Sequence, residues 1–191
     1  MAEPPIREFR TRAAWAKWLE THHGDEGGLW LKFAKKGTGV TTITYAEALE
    51  VALCYGWIDA QVKRLDETYY LQRFTPRRKR SKWSKINCAA ATRLIEAGLM
   101  QPPGLAEVER AKADGRWEAA YDSPRNAVVP DDLERALRRN KKAREFFATL
   151  DSQNRYAILY RIQDAKRPET RARRITQFVE LLARGEKPHR D

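Results

Sequence analysis

The spacing of apolar residues in the first part of the chain predicts a helix followed by a strand. Trp15, Trp18 and Leu19 recur at helical spacing, and Thr11 is placed to cap a helix that should end near residue 24. Over residues 28–34 the leucines and the phenylalanine occupy every second position. That period of two is typical of a strand.

A capping box and a long apolar run predict a second, central helix. Thr44 and Glu47 have the S/T-x-x-E spacing, in which each side chain caps the backbone amide of the other residue. Residues 45–55 are apolar on most sides, as expected of a helix surrounded by the core. Two short extended runs, 60–65 and 69–75, then flank Asp66-Glu67 and predict a β-hairpin.

Beyond residue 75 the pattern is helical, and no further strand is predicted. One helix begins at Ser81 or Ser84 and ends at Gly98, a typical C-terminal stop. Pro102-Pro103-Gly104 predicts a break, after which helices are predicted over residues 105–113, 131–139, 142–150, 152–165 and 168–183. The predicted fold is therefore α+β and mainly helical, with a small antiparallel sheet in the N-terminal half. Residues 1–100 form the α+β unit and residues 103–191 a helical unit, or the two parts form one compact domain.

The composition is that of a folded protein without disulfide bonds. The chain has 191 residues, of which 42% are hydrophobic and 33% are charged. Cys54 and Cys88 are too few for a disulfide framework, and we expect them to be buried thiols. The sequence has no run of 18 apolar residues, and its first residues lack the apolar stretch of a secretion signal. We therefore expect a cytoplasmic protein without integral membrane contact.

Most of the positive charge lies in one segment. The formal net charge is +11, and residues 73–87 contain seven basic and no acidic side chains. Cations neutralise phosphates, while Phe74 and Trp83 offer faces on which bases stack, so the segment favours an anion or a nucleic acid. The alternative is a solvated basic loop with Trp83 packed in the core. The predicted anion-binding residues of this segment are Arg73, Arg77, Arg78, Arg80, Lys82, Trp83, Ser84, Lys85 and Asn87.

Two further charged residues have apolar surroundings. Asp59 follows the apolar end of the central helix, so it is either a general acid–base group or, as we favour, the structural partner of an arginine from residues 73–87. On the last helix, Arg171 falls within the apolar stripe and Arg174 at its edge. An inward arginine needs a carboxylate, a carbonyl or a bound anion. For Arg171 we favour a protein carboxylate, and we keep Arg171 and Arg174 as further candidates for anion binding.

The sequence lacks the motifs of metal, nucleotide and nucleophilic chemistry. Its histidines and cysteines do not have zinc-ligand spacing, and no P-loop, G-x-G-x-x-G, G-x-S-x-G or H-E-x-x-H motif occurs. We therefore predict no metal, no cofactor and no catalytic residue beyond the candidate Asp59. We expect some of the tryptophans to lie in the core and the others to line a cleft. The core set is Trp15, Trp18 and Trp30, and the cleft set is Trp57, Trp83 and Trp117.

Several stretches of the sequence resemble one bacterial family. They are residues 52–59 (ALCYGWID), 72–77 (QRFTPR), 81–87 (SKWSKIN) and 170–175 (TRARRI), and residues 111–117 and 129–132 extend the similarity over nearly the whole chain. Through them the chain resembles the YdeI/OmpD-associated family, also described as bacteriocin-protection proteins. The resemblance implies a role in resistance to bacteriocins and antimicrobial peptides. It implies no catalytic residues and no cofactor.

Three functions fit these observations. We favour a cytosolic, non-enzymatic protein of bacteriocin protection or stress resistance that binds a phosphate-bearing or polyanionic partner, such as a nucleic acid, through residues 73–87. The second hypothesis is an enzyme that acts on a phosphorylated or nucleotide substrate, with Asp59 as its acid–base group. The third is a protein-interaction module with a basic face.

Overall fold

The computed structural model describes residues 3–189 and confirms the α+β, mainly helical fold class. Its strands are β1 (Ile6–Glu8), β2 (Leu29–Ala34), β3 (Trp57–Arg64) and β4 (Tyr69–Pro76). Its helices are α1 (Arg12–His22), α2 (Tyr45–Cys54), α3 (Lys85–Glu96), α4 (Pro102–Ala113), α5 (Asp131–Arg138), α6 (Lys141–Thr149), α7 (Ser152–Gln163) and α8 (Pro168–Ala183). The outer ends of the predicted units, residues 1, 2, 190 and 191, lie outside the described residues.

The strands form one mixed sheet in the order β1-β2-β4-β3. Strands β3 and β4 are the predicted antiparallel hairpin, and β4 also pairs antiparallel with β2. The sheet is not purely antiparallel, because β1 runs parallel to β2 with Ile6 opposite Trp30. A strand of three residues is too short to show the period of two, so β1 was not predicted.

Local capping explains where the first two helices begin. Thr11 Oγ1 accepts a hydrogen bond from the amide of Ala14 at 3.2 Å. Thr44 Oγ1 accepts from the amide of Glu47 at 3.3 Å, and the Glu47 carboxylate accepts from the amide of Thr44 at 2.9 Å. The break predicted at Pro102 is instead the first turn of α4. Proline is suited to that position, because the amide that it lacks would have no partner within the helix.

The described residues divide into two compact units. The first comprises the chain up to Trp83 together with Asn87–Ala120, and the second comprises Ser84–Ile86 and the chain from Tyr121 onward. In the first unit, α1 and α2 share a core with one face of the sheet. In the second unit, helices α5 to α8 enclose a separate core.

The tryptophans are more deeply packed than predicted. Trp15 and Trp30 are buried and Trp18 packs against the core, as expected. Trp57 and Trp83 are also in the core, with 0% and 2% of their surface exposed, so they do not line a cleft. The indole N–H of Trp57 donates to a backbone carbonyl at 2.7 Å, which satisfies its polar group inside the core.

Both cysteines are poor nucleophiles at neutral pH. Cys54 is buried and Cys88 is half-buried. Burial raises the pKa of both thiols, and that of Cys88 reaches about 11. The thiolate is the reactive form, and it is scarce four pH units below such a pKa.

Candidate anion-binding site

The chain between β4 and α3 contains a tight turn, residues 77–82, which we call the basic loop. Ser81 Oγ accepts a hydrogen bond from the amide of Arg78 at 2.8 Å, and the Ser81 amide donates to the Arg78 carbonyl at 2.9 Å. The turn leaves Arg78, Lys79, Arg80 and Lys82 exposed. Neighbouring cations such as Arg78, Lys79 and Arg80 attract anions, and more strongly when the anion carries several charges.

Arg77 differs from the other cations of the basic loop because it is buried. Only 5% of its surface is exposed, and its guanidinium carbon lies 3.5 Å from the ring centroid of Trp83. Its Nη1 donates to the carbonyl of Lys82 at 3.1 Å, and its backbone amide donates to the carbonyl of Gly56 at 2.9 Å. Trp83 is thus packed in the core, the alternative raised from the sequence, and it offers no open face to a base. Arg77 and Trp83 hold the loop in place.

A second guanidinium, which the sequence did not suggest, also holds the basic loop. Arg116 Nη1 donates to the Ser81 carbonyl at 2.7 Å, while its Nε lies 2.8 Å from both carboxylate oxygens of Asp114. Its Nη2 is buried and has no hydrogen-bond partner among the described residues. No local signal in the sequence marks Arg116 as a support of a distant turn.

Several guanidinium groups act on one partly buried carboxylate near Arg116, that of Glu107. Burial raises the pKa of Glu107, although the guanidinium groups of Arg110, Arg77 and Arg116 all act to lower it. Arg110 forms an ion pair with Glu107. Arg116 is paired with Asp114 instead, so the two carboxylates compensate two of these guanidinium groups.

An open cavity of about 330 Å³ lies where the basic loop meets the hairpin. Its lining residues are Ile58, Ala60, Gln61, Arg73, Thr75, Pro76, Arg78 and Ser81. Two of these residues are cationic and none is acidic. Hydroxyl and amide groups add hydrogen-bond donors, so the lining suits a phosphate or another oxyanion.

The hairpin places Arg73 in this cavity through strand alternation and a β-bulge. Thr75 pairs with Ile58, and Arg73, two positions before Thr75, lies on the same face of β4. The register shifts between Asp59 and Val62, which leaves two residues, 60 and 61, opposite Arg73. Strand alternation was visible in the sequence, whereas nothing local predicted the bulge.

Arg73 is the least satisfied polar group of the cavity. Its Nη2 donates to the carbonyl of Gly27 at 3.2 Å, which fixes the guanidinium group. Its Nε is buried and has no hydrogen-bond partner among the described residues. An unsatisfied buried donor costs about 1–3 kcal/mol. An oxyanion that accepted a hydrogen bond from this Nε would remove that cost.

The end of the predicted segment does not join this cavity. Ser84 and Lys85 belong to the second unit, where Ser84 forms an isolated β-bridge with Tyr121 and Lys85 Nζ lies 2.8 Å from the Asp122 carboxylate. Asn87 is half-buried in α3. The structure therefore brings together Arg73 and Arg78 in the lining of the cavity, which does not include Ser84, Lys85 or Asn87.

Asp59 is not the partner of an arginine. Its carboxylate accepts a hydrogen bond from the Tyr45 hydroxyl at 2.9 Å. In the sheet Asp59 pairs with Phe74, a core residue, whereas its neighbour Ile58 lines the cavity. Successive side chains of a strand point to opposite faces, so Asp59 lies across the sheet from the cavity. It cannot serve as an acid–base group for a ligand bound there.

Arg171 has the protein carboxylate that we favoured as its partner. Its Nε and Nη2 donate to the two oxygens of Asp132 at 2.5 and 2.9 Å, and its Nη1 donates to the Ile162 carbonyl at 3.0 Å. This bidentate pair joins α5 to α8. Arg174 Nη1 donates to the carbonyl of Arg161. The same nitrogen lies 3.7 Å from the Asp164 carboxylate. Both guanidinium groups are thus paired with groups of the protein, and neither arginine lines the cavity that contains Arg73.

Replacing Asp132 by asparagine is expected to lower the free energy of unfolding by about 1–2 kcal/mol at neutral pH. The Arg171 guanidinium holds the pKa of Asp132 below its ordinary value. A depressed pKa stabilises the fold above the ordinary aspartate pKa of about 3.9, and this contribution is lost as the pH falls through the lower folded-state value. Denaturant unfolding of wild type and variant should therefore differ at pH 7 and converge in acid.

Asp131→Asn is the matched control for this prediction. Asp131 is in the same first turn of α5, so both changes lose a similar helix-dipole interaction, and only the change at Asp132 loses the ion pair. Equal effects of the two substitutions at pH 7 would show that the pair with Arg171 contributes nothing to stability.

The second unit has a cavity of about 410 Å³ beside this ion pair. Arg171 lines it together with the carboxylates of Asp122 and Asp131. Because Asp132 neutralises Arg171 and two further acids face the space, this cavity is less suited to an anion than the cavity of the first unit.

Two separate parts of the chain match two different families. Residues 7–107 match the family described as a domain of unknown function, DUF8412, and residues 126–185 match the family described as bacteriocin-protection, YdeI or OmpD-associated. The second match confirms the resemblance seen in the sequence, over a part of the chain rather than nearly all of it. The chain matches no curated protein and no solved structure.

Within residues 3–189, no cluster of His, Cys, Asp and Glu is arranged to hold a metal ion, and no helix is long and apolar enough to cross a membrane. The anion-binding cavity and the basic loop fall inside the first matched region, and the Asp132–Arg171 pair falls inside the second. The C-terminal part of the chain carries a bacteriocin-protection, YdeI or OmpD-associated region. The DUF8412 match covers more than half of the chain, and the chain therefore belongs to the DUF8412 family.

Proposed function

We propose that this protein has a bacteriocin-protection-type role that it performs by binding a phosphate-bearing polyanion. The binding site is the cavity lined by Arg73 and Arg78, extended by the exposed cations of the basic loop. The proposed activity is binding rather than catalysis. Its proposed setting is the cytoplasm, where nucleic acids and other phosphate-bearing polyanions are abundant.

The buried Nε of Arg73 carries this proposal. It is a cationic donor without a partner among the described residues, and the cavity that the Arg73 side chain lines has no acidic residue among the described lining residues. A surface arginine that interacts only with solvent would keep its N–H donors exposed to water. Arg73 is instead held by Gly27 with one donor unused, as expected of a group that is organised before its ligand arrives.

The exposed cations explain why a polyanion is proposed rather than a single phosphate. Arg78 reaches the cavity, and Lys79 and Arg80 follow it on the outside of the turn, with no described partner for their side chains. A phosphate group of a polyanion can lie in this cavity of about 330 Å³. The phosphates next to it along the polyanion would then lie against the basic loop. Each phosphate contact releases counterions and adds to the affinity.

The enzyme hypothesis has less support. It required Asp59 to act on the bound substrate, and Asp59 lies on the opposite face of the sheet from the cavity. A binding function uses only the groups that the cavity contains.

Replacing Arg78, Lys79 and Arg80 together by alanine is expected to weaken the binding of a single-stranded oligonucleotide by tenfold or more at low salt. Loss of three phosphate contacts should also reduce the slope of log affinity against log salt concentration by about 2. Fluorescence anisotropy of a labelled 20-nucleotide strand over a range of salt concentrations measures both quantities. All three residues are exposed, so the melting temperature should not change.

The matched control replaces Arg139, Lys142 and Arg144, three exposed cations of the second unit, by alanine. This variant loses the same charge from another basic surface. It should retain most of the affinity for the oligonucleotide and most of the salt dependence of binding. If both triple variants lose the same affinity, net charge rather than the basic loop accounts for binding, and the proposal is wrong.

A further inference from the structure

The second unit contains a cavity that the proposed function does not use. It has a volume of about 600 Å³. Its lining residues are Pro124, Ser152, Gln153, Tyr156, Ala157, Tyr160, Arg161 and His189. Most of them come from one side of α7, where positions 152, 156 and 160 recur at four-residue spacing. The volume is of the size that binds small organic ligands.

Two tyrosine rings form the wall of this cavity, and both are held in place. The Tyr156 hydroxyl donates to the Asp122 carbonyl at 2.7 Å. The ring centroids of Tyr156 and Tyr160 are 5.9 Å apart, and Tyr121 meets Tyr160 edge-on at 5.2 Å. Burial raises the pKa of Tyr156 to about 12, so its ring is uncharged at neutral pH. Fixed, neutral aromatic faces are suited to stacking against a planar ring.

The rim of the cavity is cationic. Arg161 is exposed and its guanidinium has no described partner, and His189 is exposed nearby in the lining. Among the described residues that line the cavity, none is acidic. The carboxylate next to Ser152 in sequence, that of Asp151, caps α7 and accepts two hydrogen bonds from Asn154. The cavity therefore pairs an aromatic wall with an unneutralised cation at its edge.

We propose that this cavity binds a mononucleotide. The base would stack on the wall formed by Tyr156 and Tyr160, and the phosphate would lie against Arg161, whose planar guanidinium suits a phosphate. Ser152 and Gln153 supply hydrogen-bonding groups to the polar edge of the base or the sugar. A neutral aromatic ligand would leave Arg161 unused, and an inorganic anion would leave the tyrosine wall unused.

Titration with adenosine monophosphate tests the proposal, with the aromatic proton signals of Tyr156 and Tyr160 followed by NMR. These signals report this cavity only, so binding at the basic loop of the first unit does not affect the result. We expect saturable shifts with adenosine monophosphate, at least tenfold weaker binding of adenosine, and no shifts with inorganic phosphate at the same concentrations. Equal binding of adenosine and adenosine monophosphate, or no shift of either tyrosine, would overturn the proposal.

Arg161→Gln should reduce the affinity for adenosine monophosphate to that for adenosine. Its side chain is exposed, so the variant should fold normally. Arg173→Gln is the matched control, because Arg173 is an exposed arginine of the same unit that does not line the cavity, and it should bind as wild type does. An Arg161→Gln variant with unchanged affinity would show that the guanidinium does not hold the phosphate, and the mononucleotide assignment would be wrong.

Discussion

Replacing Gly104 by alanine is expected to destabilise the first unit by about 3 kcal/mol or more. A Cβ atom at Gly104 would lie 2.2 Å from the carbonyl oxygen of Cys54 and 2.7 Å from that of Leu53. Both atoms are backbone and cannot rotate away. In an open helix the same substitution would stabilise by about 1 kcal/mol, so the sign of the effect tests whether α4 lies against the end of α2 as closely as the structure shows.

Gly24→Ala is the control for this substitution. A Cβ atom at Gly24 would meet nothing within 4 Å, and its backbone does not need glycine. Its effect on the free energy of unfolding should stay within about 0.5 kcal/mol. Chemical denaturation of the two variants beside wild type gives both values. A Gly104→Ala protein as stable as wild type would mean that α4 is displaced from this position.

Alanine substitution should lower stability at Arg77 and weaken ligand binding at its neighbour Arg78. Arg77→Ala is expected to lower the free energy of unfolding by about 2–4 kcal/mol, because it removes buried contacts with Trp83 and a charged hydrogen bond to Lys82. Arg78→Ala should change stability by less than about 0.5 kcal/mol, since its side chain is exposed, and should weaken oligonucleotide binding.

This pair of variants separates structure from binding with one residue type at neighbouring positions. Thermal unfolding measures the first effect and anisotropy of a labelled oligonucleotide measures the second. A stable Arg77→Ala protein that fails to bind would show that Arg77 contacts the ligand directly. An unstable Arg78→Ala protein would show that its side chain supports the turn. Either result would contradict the assignment of roles within the basic loop.

Elements defined by local interactions were predicted from the sequence. The capping box of Thr44 and Glu47 lies within four residues, and the hairpin of β3 and β4 follows from two extended runs about a short turn. Strand β1 was missed, because its three residues are held by pairing with β2, about twenty positions away in the chain. Pattern analysis detects periodicity within an element, and β1 is too short to have any.

The candidate site was predicted as a segment of the chain and not as an arrangement in space. The charge of residues 73–87 pointed to the basic loop, but no local signal distinguishes buried Arg77 from exposed Arg78. Tertiary contacts make that distinction, since Arg77 packs on Trp83. Arg116 comes from a distant part of the sequence, and the bulge beside Arg73 depends on how two strands pair. Such features arise from the fold as a whole.

Asp59 and Arg171 illustrate how far burial can be inferred from neighbours in sequence. For Arg171 the helical stripe correctly predicted an inward arginine paired with a carboxylate, because α8 is long and regular. For Asp59 the apolar residues before it suggested an interior position, but the chain enters an edge strand there, and Tyr45 rather than an arginine is its partner. The type of element, more than local hydrophobicity, decided which inference held.

The most direct test of the anion-binding site follows the side-chain Nε–H signal of Arg73 by NMR during titration with tripolyphosphate. This donor is buried and has no protein partner among the described residues, so a bound oxyanion should shift its signal strongly and protect the proton from exchange. The amides of Arg78 and Ser81 should shift with the same affinity, while the side-chain signal of exposed Arg139 should not. Saturation of the titration with shifts confined to other parts of the chain, and an unchanged Arg73 signal, would contradict the account.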